Sequence, residues 1–515
     1  MIQFLKKDFL YNFLFLSIIL VTGIKLFLIG NGFLNFPDEW RHIASGHVLK
    51  HIQNGEFENA IQTIFSTQGR PVDTIIKTIP NSLQYISAKI FDLEYYESDN
   101  SYPLFLFNFF IFCLILLVHF KVSNLFLKNQ IWSLFSVLVF SCLTNSYMYL
   151  RHAFPYDCSL LILYYLLYKV LKITSEDSFT SKKVYFLGFF AFTGYLSYPG
   201  YFLFYAMLGL IFFFNNLNFD KSKIITRIKC SAVYVLGSLT CLAIFELISR
   251  SVGVSYLESS RELSGTLNQG SFEECFIFLF KYLLEIEKLT GVLLIFGIIF
   301  FTYLVFKTLS TKKRINSLQK VFIITAFILL LFAGAGFYFQ KVVLSGRVIH
   351  QFFPLICTSS AYCLSILFAN KRKYKIVILP LSILIIFNFL VQFVEYKNYS
   401  YPKDISWHFF KKYYPREFTD VCEMGNSWSI MPITNSELEK FSNQLTDCKL
   451  EIVNSCTTYP FDLKTHTKHI KNEDETVLFS GMHYLNYKGY QFETYKIEER
   501  REIDSVKLYI EVIKK

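Results

Sequence analysis

The sequence predicts an all-α polytopic membrane protein with about nine to eleven transmembrane helices and a C-terminal extracytoplasmic domain of α+β or β-rich type. Of its 515 residues, 53% are hydrophobic and 19% aromatic, and the mean hydropathy is +0.36. Only 18% are charged, whereas soluble domains have about 25%. This shortage of charge excludes an ordinary cytosolic enzyme and indicates a large lipid-facing surface.

Nine apolar stretches are each about long enough to cross a bilayer as a helix. They cover residues 9–30, 103–120, 131–147, 158–173, 230–249, 290–306, 321–338, 353–369 and 376–394. A further apolar segment, 184–215, is interrupted by Ser197-Tyr198-Pro199-Gly200, where proline and glycine favour a helix end. This segment forms either two thin helices or a re-entrant hairpin, and both alternatives return the chain to the side from which it came.

The distribution of Lys and Arg predicts the orientation of the chain. With the N-terminus in the cytoplasm, the inner stretches carry 21 Lys and Arg in 69 residues, against 7 in 68 residues of the short outer stretches. Cytoplasmic loops are enriched in these residues, so the net charge of +11 reflects membrane topology. Nucleic acid is therefore excluded as a partner, and the lipid bilayer is the predicted surroundings.

Two domains follow from this topology: a transmembrane domain, 1–394, and an extracytoplasmic tail, 395–515. The first extracytoplasmic loop, 31–102, is predicted to contain an amphipathic helix. The tail has strand-like runs at Tyr490 to Lys496 and Val506 to Ile513. Its three cysteines, Cys422, Cys448 and Cys456, allow one disulfide or three free thiols. The sequence has no nucleotide-binding glycine loop, which disfavours ATP-driven transport.

The first outer loop contains the strongest candidate for acid–base chemistry. Pro37 favours a helix start, and Asp38 and Glu39 occupy its first turn, with Arg41 and His42 on the next. Helical spacing places Asp38 and His42 on one face at the bilayer boundary, where a partly desolvated carboxylate suits a general base. The alternative is that the two acids only stabilise the helix N-terminus. A metal site at Glu39 and His42 is a weaker alternative.

Further ionisable residues are also predicted to lie on the outer side. Arg151, His152 and Asp157 fill a tight outer turn, either as an Arg151–Asp157 ion pair or as a site for an anionic group. Lys341, Arg347 and His350 precede the span at 353, where the cations either bind a lipid phosphate or extend toward headgroups. Arg70 lies in a turn of the first loop. Glu246 and Arg250, four residues apart, predict a structural ion pair.

The Asp38-Glu39 pair in the first outer loop of a many-helix membrane protein resembles the GT-C class of glycosyltransferases. Within that class, the size, the large first and last outer parts and the broken segment at Pro199 are similar to the phage-type serotype-converting O-antigen glucosyltransferases. The architectural resemblance covers the whole chain, whereas the match of residues is confined to Pro37-Asp38-Glu39. The resemblance implies an essential acid at Glu39, with Asp38 next, and no certain cofactor, with a divalent metal left open.

The resemblance further implies a function at the outer face of the bacterial inner membrane. A sugar, glucosyl by the resemblance, would pass from a polyprenyl-phosphate carrier to a polysaccharide acceptor such as O-antigen. Arg41, His42, Arg70, Arg151, His152, Asp157, Lys341, Arg347 and His350 are the predicted substrate-binding residues. The alternatives are a polysaccharide polymerase or ligase, a flippase or transporter, and a non-catalytic assembly protein. Transport is disfavoured because the ionisable residues cluster at the outer boundary instead of the bilayer midplane.

Overall fold

The computed structural model describes most of the transmembrane part of the chain and short pieces of the tail. The described residues are 9–28, 40–66, 69–91, 102–147, 149–150, 152–175, 180–214, 224–267, 276–341, 344, 346–368, 373–396, 421–424, 450–453, 476–479, 490–492 and 512–514. The predicted acids Asp38 and Glu39, together with Arg151, lie outside them, and the side chain of Arg41 is not described.

Every one of the nine apolar stretches contains a helix. Among the described residues, six helical segments are long and apolar enough to cross a membrane: Phe9–Leu28, Tyr102–Leu127, Ile224–Ser251, Lys288–Ser310, Ser317–Phe339 and Ile376–Val394. The corresponding helices, in chain order, are α1 (Phe9–Ile24), α5 (Tyr102–Leu127), α11 (Ile224–Ser251), α14 (Lys288–Ser310), α15 (Ser317–Phe339) and α18 (Lys373–Tyr396). This agrees with the prediction of a multi-pass membrane protein.

The other three predicted spans form helices that are shorter or more polar than expected. The stretch 131–147 is divided into α6 (Gln130–Cys142) and α7 (Thr144–Tyr147), because Leu143 between them has an extended backbone. The helix α8 (Tyr156–Ser175) carries Lys169 and Lys172, and α17 (Phe353–Leu367) has only 15 residues. The helices α6, α8 and α17 lie largely inside the helical core. A helix in that position need not be long enough to cross a bilayer.

The segment 184–215 is broken where proline and glycine predict it. The helix α9 (Ser181–Ser197) ends before a 3-10 turn at Pro199–Tyr201, and α10 (Phe202–Phe214) follows. α9 also packs tightly against α11. A Cβ atom at Gly188 would lie 1.9 Å from the backbone oxygen of Tyr234, and one at Gly237 would lie 2.0 Å from that of Tyr185. These two glycines therefore allow the helix backbones to touch.

The described part of the first outer loop contains three helices, α2 (Trp40–Gln53), α3 (Phe57–Phe65) and α4 (Pro71–Phe91). The sequence predicts α2 to lie along the membrane surface, with Val48 and Ile52 on its apolar side. In the structure Val48 is buried inside the protein and Ile52 is exposed, because α2 packs against α3 and α4.

The helix α4 has an inverted distribution of polar and apolar residues. Its buried face is mostly polar and carries Asp73, Thr74, Lys77, Asn81 and Gln84. Its exposed face is apolar and carries Ile75, Ile79, Leu83, Ile86, Ile90 and Phe91. A helix beside a bilayer can satisfy both faces in this arrangement, since the apolar side meets lipid and the polar side meets protein.

The remaining described helices connect or flank the spans. They are α12 (Tyr256–Leu267), α13 (Phe278–Glu285) and α16 (Gly346–Ile349), with 3-10 turns at Lys25–Leu28 and His350–Phe352. In the tail, β1 (Val421–Met424), β2 (Leu450–Val453) and β3 (Thr476–Phe479) pair in parallel, and β4 (Tyr490–Phe492) pairs antiparallel with β5 (Val512–Lys514). The connections between them lie outside the described residues, so the α+β or β-rich domain stays a prediction.

Candidate functional site

The best-defined polar site lies where α6 ends and α8, α14 and α17 begin, at helix ends that the sequence predicts to face outward. We call this the outer end. Its centre is a chain of three buried side chains: Asn145, His350 and Asp157. His350 Nδ1 is 2.6 Å from Asn145 Oδ1, and His350 Nε2 is 3.2 Å from Asp157 Oδ1. Asp157 and His350, one residue from each of two predicted groups, therefore meet at this point.

The hydrogen bonds of Asn145 determine the protonation of His350. Asn145 Nδ2 donates to the backbone oxygen of Gly346 and to the hydroxyl of Tyr282, both at 2.9 Å. The backbone oxygen can only accept, so Nδ2 faces it and Oδ1 faces His350. A carbonyl oxygen has no proton, so His350 Nδ1 must carry one. The other ring nitrogen, Nε2, faces Asp157 Oδ1.

Glu287 holds Asn145 in place from the start of α14. Its two carboxylate oxygens accept the backbone N–H groups of Thr144 and Asn145, each at 2.9 Å. These N–H groups belong to the first turn of the short helix α7 and have no partner within that helix. Burial raises the pKa of Glu287 to about 7, although the two hydrogen bonds act in the opposite direction. Glu287 is thus a support for the site and not part of its surface.

Aromatic side chains surround Asp157 and His350. The ring of Tyr149 lies 4.9 Å from that of His350 and 4.6 Å from that of Tyr156. Tyr156 in turn lies 4.6 Å from Tyr198, whose ring is 5.0 Å from that of Tyr201. Tyr198 and Tyr201 come from the break between α9 and α10, so this break supplies one wall of the site.

The first loop adds ionisable side chains from α4 and the residue before it. The guanidinium carbon of Arg70 lies 5.1 Å from the centre of the Tyr198 ring, a cation–π contact. One turn on, Lys77 Nζ donates to Asp73 Oδ2 at 2.6 Å, and both side chains are almost fully buried. The polar face of α4 is therefore directed toward the protein and lies next to the aromatic wall.

His42 connects α2 to α4. Asn81 Nδ2 lies 2.8 Å from the backbone oxygen of His42, 3.0 Å from that of Lys77 and 3.0 Å from His42 Nδ1, while His42 Nε2 lies 2.8 Å from Gln84 Oε1. An amide nitrogen cannot accept a hydrogen bond, so Nδ1 beside it carries no proton, Nε2 carries one and the ring is neutral. Burial lowers the pKa of His42 to about 3. These contacts fix the start of α2, directly after Asp38 and Glu39.

The other predicted residues have more varied surroundings. The backbone oxygen of His152 accepts from Asn108 at 2.7 Å, and its side chain is fully buried. Arg347 is half-buried and Lys341 exposed. Arg250 Nε lies 2.5 Å from Glu246 Oε1, so the predicted structural pair is confirmed. Among the described residues, no group of three or more His, Cys, Asp and Glu is arranged to hold a metal ion.

Sequence reasoning missed several residues of the outer end. Asn145 and Glu287 have no motif, although an acid directly before the apolar run 290–306 is a usable signal. The spacing of Asp73, Lys77, Asn81 and Gln84 predicts a polar helix face, but it does not indicate that this face is buried. Lys25 was also missed. Its ammonium group donates to the backbone oxygen of Ser141 at 2.6 Å and lies 4.2 Å from the Phe112 ring centre.

Comparisons with known proteins give little further guidance. No protein-family profile and no curated protein matches the chain. Among solved structures, the chain is similar to an oligosaccharyltransferase of Archaeoglobus fulgidus, whose crystal structure was determined with zinc and sulfate. The identity is 12% and the TM-score 0.34, over 60% of this chain and 43% of that chain. The chain thus spans less than half of that protein, and a likeness of this extent establishes neither fold nor function here.

Proposed function

We propose that the protein is a membrane glycosyltransferase of GT-C type that takes its sugar from a polyprenyl-phosphate carrier. The observation that carries this proposal is the gathering of Arg70, Asp73, Lys77, Asp157 and His350 at the outer end. Buried ionisable groups at a membrane boundary are costly and are typical of functional sites. A reaction at the outer end needs a sugar donor that is held in the membrane at that level, and a lipid-linked sugar is such a donor.

In the proposed reaction, Glu39 or Asp38 removes the proton from a hydroxyl of the acceptor sugar. The acceptor oxygen then attacks the anomeric carbon of the donor, and the bond from that carbon to the phosphate oxygen breaks. The lipid phosphate leaves with the bonding electrons, and Arg347, Lys341 or Arg151 stabilises its charge. His42 contributes by fixing the start of α2, the helix that follows the two acids in the sequence.

The finer assignments of the proposal rest on the resemblance in sequence. The donor sugar is a glucosyl group, the acceptor is a bacterial surface polysaccharide such as O-antigen, and the site faces outward from the inner membrane. The cytoplasmic N-terminus and the extracytoplasmic tail follow from the distribution of Lys and Arg. In this scheme the tail and the first loop hold the acceptor polysaccharide.

Glu39→Gln and Asp38→Asn test the proposed base directly. Each variant keeps the size of the side chain and removes its ability to take a proton. We expect at least one to abolish glycan modification in cells while the protein remains in the membrane at normal abundance. Lys341→Gln, at an exposed position, removes one of the cations proposed to stabilise the lipid phosphate, and its activity is compared with that of the acid variants. Full activity of both acid variants would remove Glu39 and Asp38 from the mechanism.

A further inference from the structure

Three buried polar atoms beside His350 have no hydrogen-bond partner among the residues that the structure describes. They are Asp157 Oδ2 and the hydroxyl oxygens of Tyr149 and Tyr201. The exposed fractions of these residues are 6%, 2% and 0%. Native proteins satisfy the large majority of buried polar atoms, because an unpaired one loses its bonds to water without replacement. Three together therefore indicate a missing polar partner.

The three atoms belong to one place in the molecule. Asp157 bonds to His350 through its other oxygen, and the ring centres of Tyr149 and Tyr201 lie 4.9 Å and 6.3 Å from that of His350. Tyr201 is also near enough to Asp157 and Tyr198 to interact with them electrostatically. The three atoms therefore belong to side chains that are grouped around the His350 ring.

The chemistry of these atoms limits the ligand. A carboxylate oxygen accepts hydrogen bonds, whereas phenol hydroxyls both donate and accept. An anion is disfavoured because it has no hydrogen for the acceptor Asp157 Oδ2 to bond. The described residues offer no ligand set for a metal ion. A ligand with several hydroxyl groups fits the polar atoms, and its C–H face fits the surrounding aromatic rings. Sugars have both properties.

We propose that Asp157 Oδ2, Tyr149 and Tyr201 bind the hydroxyl edge of a sugar ring, with Asp157 accepting a hydrogen bond from one ring hydroxyl. This inference rests on the proposed function and names a sugar subsite within it. Asn145 and His350 are positioning residues, because they hold Asp157 through its Oδ1 atom and leave Oδ2 available. The break between α9 and α10 determines the position of Tyr201.

Tyrosine to phenylalanine substitutions separate binding from packing. Tyr201→Phe and Tyr149→Phe each remove a hydroxyl that has no partner in the described part of the chain, so the melting temperature of the ligand-free protein should stay the same or rise. The KM for the sugar substrate should rise about three- to tenfold with little change in kcat, as expected for one lost hydrogen bond. Tyr164→Phe is the matched control, because its hydroxyl bonds to His119 at 2.9 Å. It should lower the melting temperature and leave KM unchanged.

A binding measurement distinguishes this inference from the proposed function. Saturation-transfer NMR on the full-length protein in a sugar-free detergent would use the methyl glycosides of glucose, galactose and mannose as probes. We expect at least one to bind to the wild type and to lose its signal with Tyr201→Phe and Asp157→Asn. If this occurs without any transfer activity, the subsite stands and the proposed function fails.

Three results would overturn the inference. The first is that none of the probes binds to the wild-type protein, which would indicate that water alone fills the site. The second is unchanged KM and probe binding in Tyr201→Phe and Tyr149→Phe. The third is a fall in melting temperature as large as that of Tyr164→Phe, because each hydroxyl would then have a partner within the protein.

Discussion

The neutral, buried ring of His42 predicts that acid weakens the attachment of α2 to α4. Burial lowers the pKa of His42 from 6.5 to about 3. The folded state therefore binds a proton less tightly than the unfolded state. The contribution of His42 to stability is fully present above the unfolded pKa and is lost as the pH falls toward the folded pKa. Between these two pKa values, each pH unit of acidification lowers the free energy of unfolding by about 1.4 kcal/mol.

The size of this loss in stability depends on the pH range that an experiment can cover. Between about pH 7.5 and pH 5, the free energy of unfolding should fall by about 2 kcal/mol because of His42 alone. Denaturation of the detergent-solubilised protein at both pH values would measure it. His42→Gln removes the titration and should remove this difference, whereas His47→Gln, at an exposed position on the same helix, should retain it. The same pH dependence in wild type and His42→Gln would refute the reasoning.

Two further predictions concern stability. Replacing Lys77 by Met removes the ion-pair partner of the buried Asp73 carboxylate and should cost about 3–5 kcal/mol, whereas replacing Lys77 by Met and Asp73 by Leu together should cost much less. Denaturation of the wild type and the two variants measures this, and an equal or larger cost of the double substitution would contradict it. Gly237→Ala should cost about 1–3 kcal/mol, because its Cβ would overlap the backbone of α9. Gly334→Ala, where nothing lies within 4 Å, should be neutral or stabilising by up to about 1 kcal/mol. Equal melting temperatures of the two glycine variants would show that α9 and α11 do not touch at Gly237.

The helices were largely predictable from the sequence because long apolar runs and helix breakers are local signals. The nine apolar stretches all contain helices, and the break at Pro199 lies where proline and glycine place it. The lengths of single helices were less predictable. The extended backbone at Leu143 divides one predicted span, and no strong breaker occurs there.

The contacts of the site were less predictable because they join distant parts of the chain. Asp157 and His350 were both predicted as binding residues, but nothing in the sequence indicates that they bond across 193 positions. The burial of the polar face of α4 was also not predictable from the sequence. Its pattern shows two faces, but only packing against α2 and α9 shows that the polar one is buried. His42 is predicted to bind substrate, and its contacts with Asn81 and Gln84 on α4 could not be read from the sequence.

Reconstituted transfer tests the central claim most directly. Purified full-length protein in lipid would be incubated with a polyprenyl-phosphate-linked hexose and an acceptor polysaccharide, and the product would be analysed by mass spectrometry. The proposed function predicts that the acceptor gains single hexose units, and that Glu39→Gln or Asp38→Asn abolishes this gain. An acceptor that changes in chain length without gaining single hexoses, or that does not change at all, would contradict it.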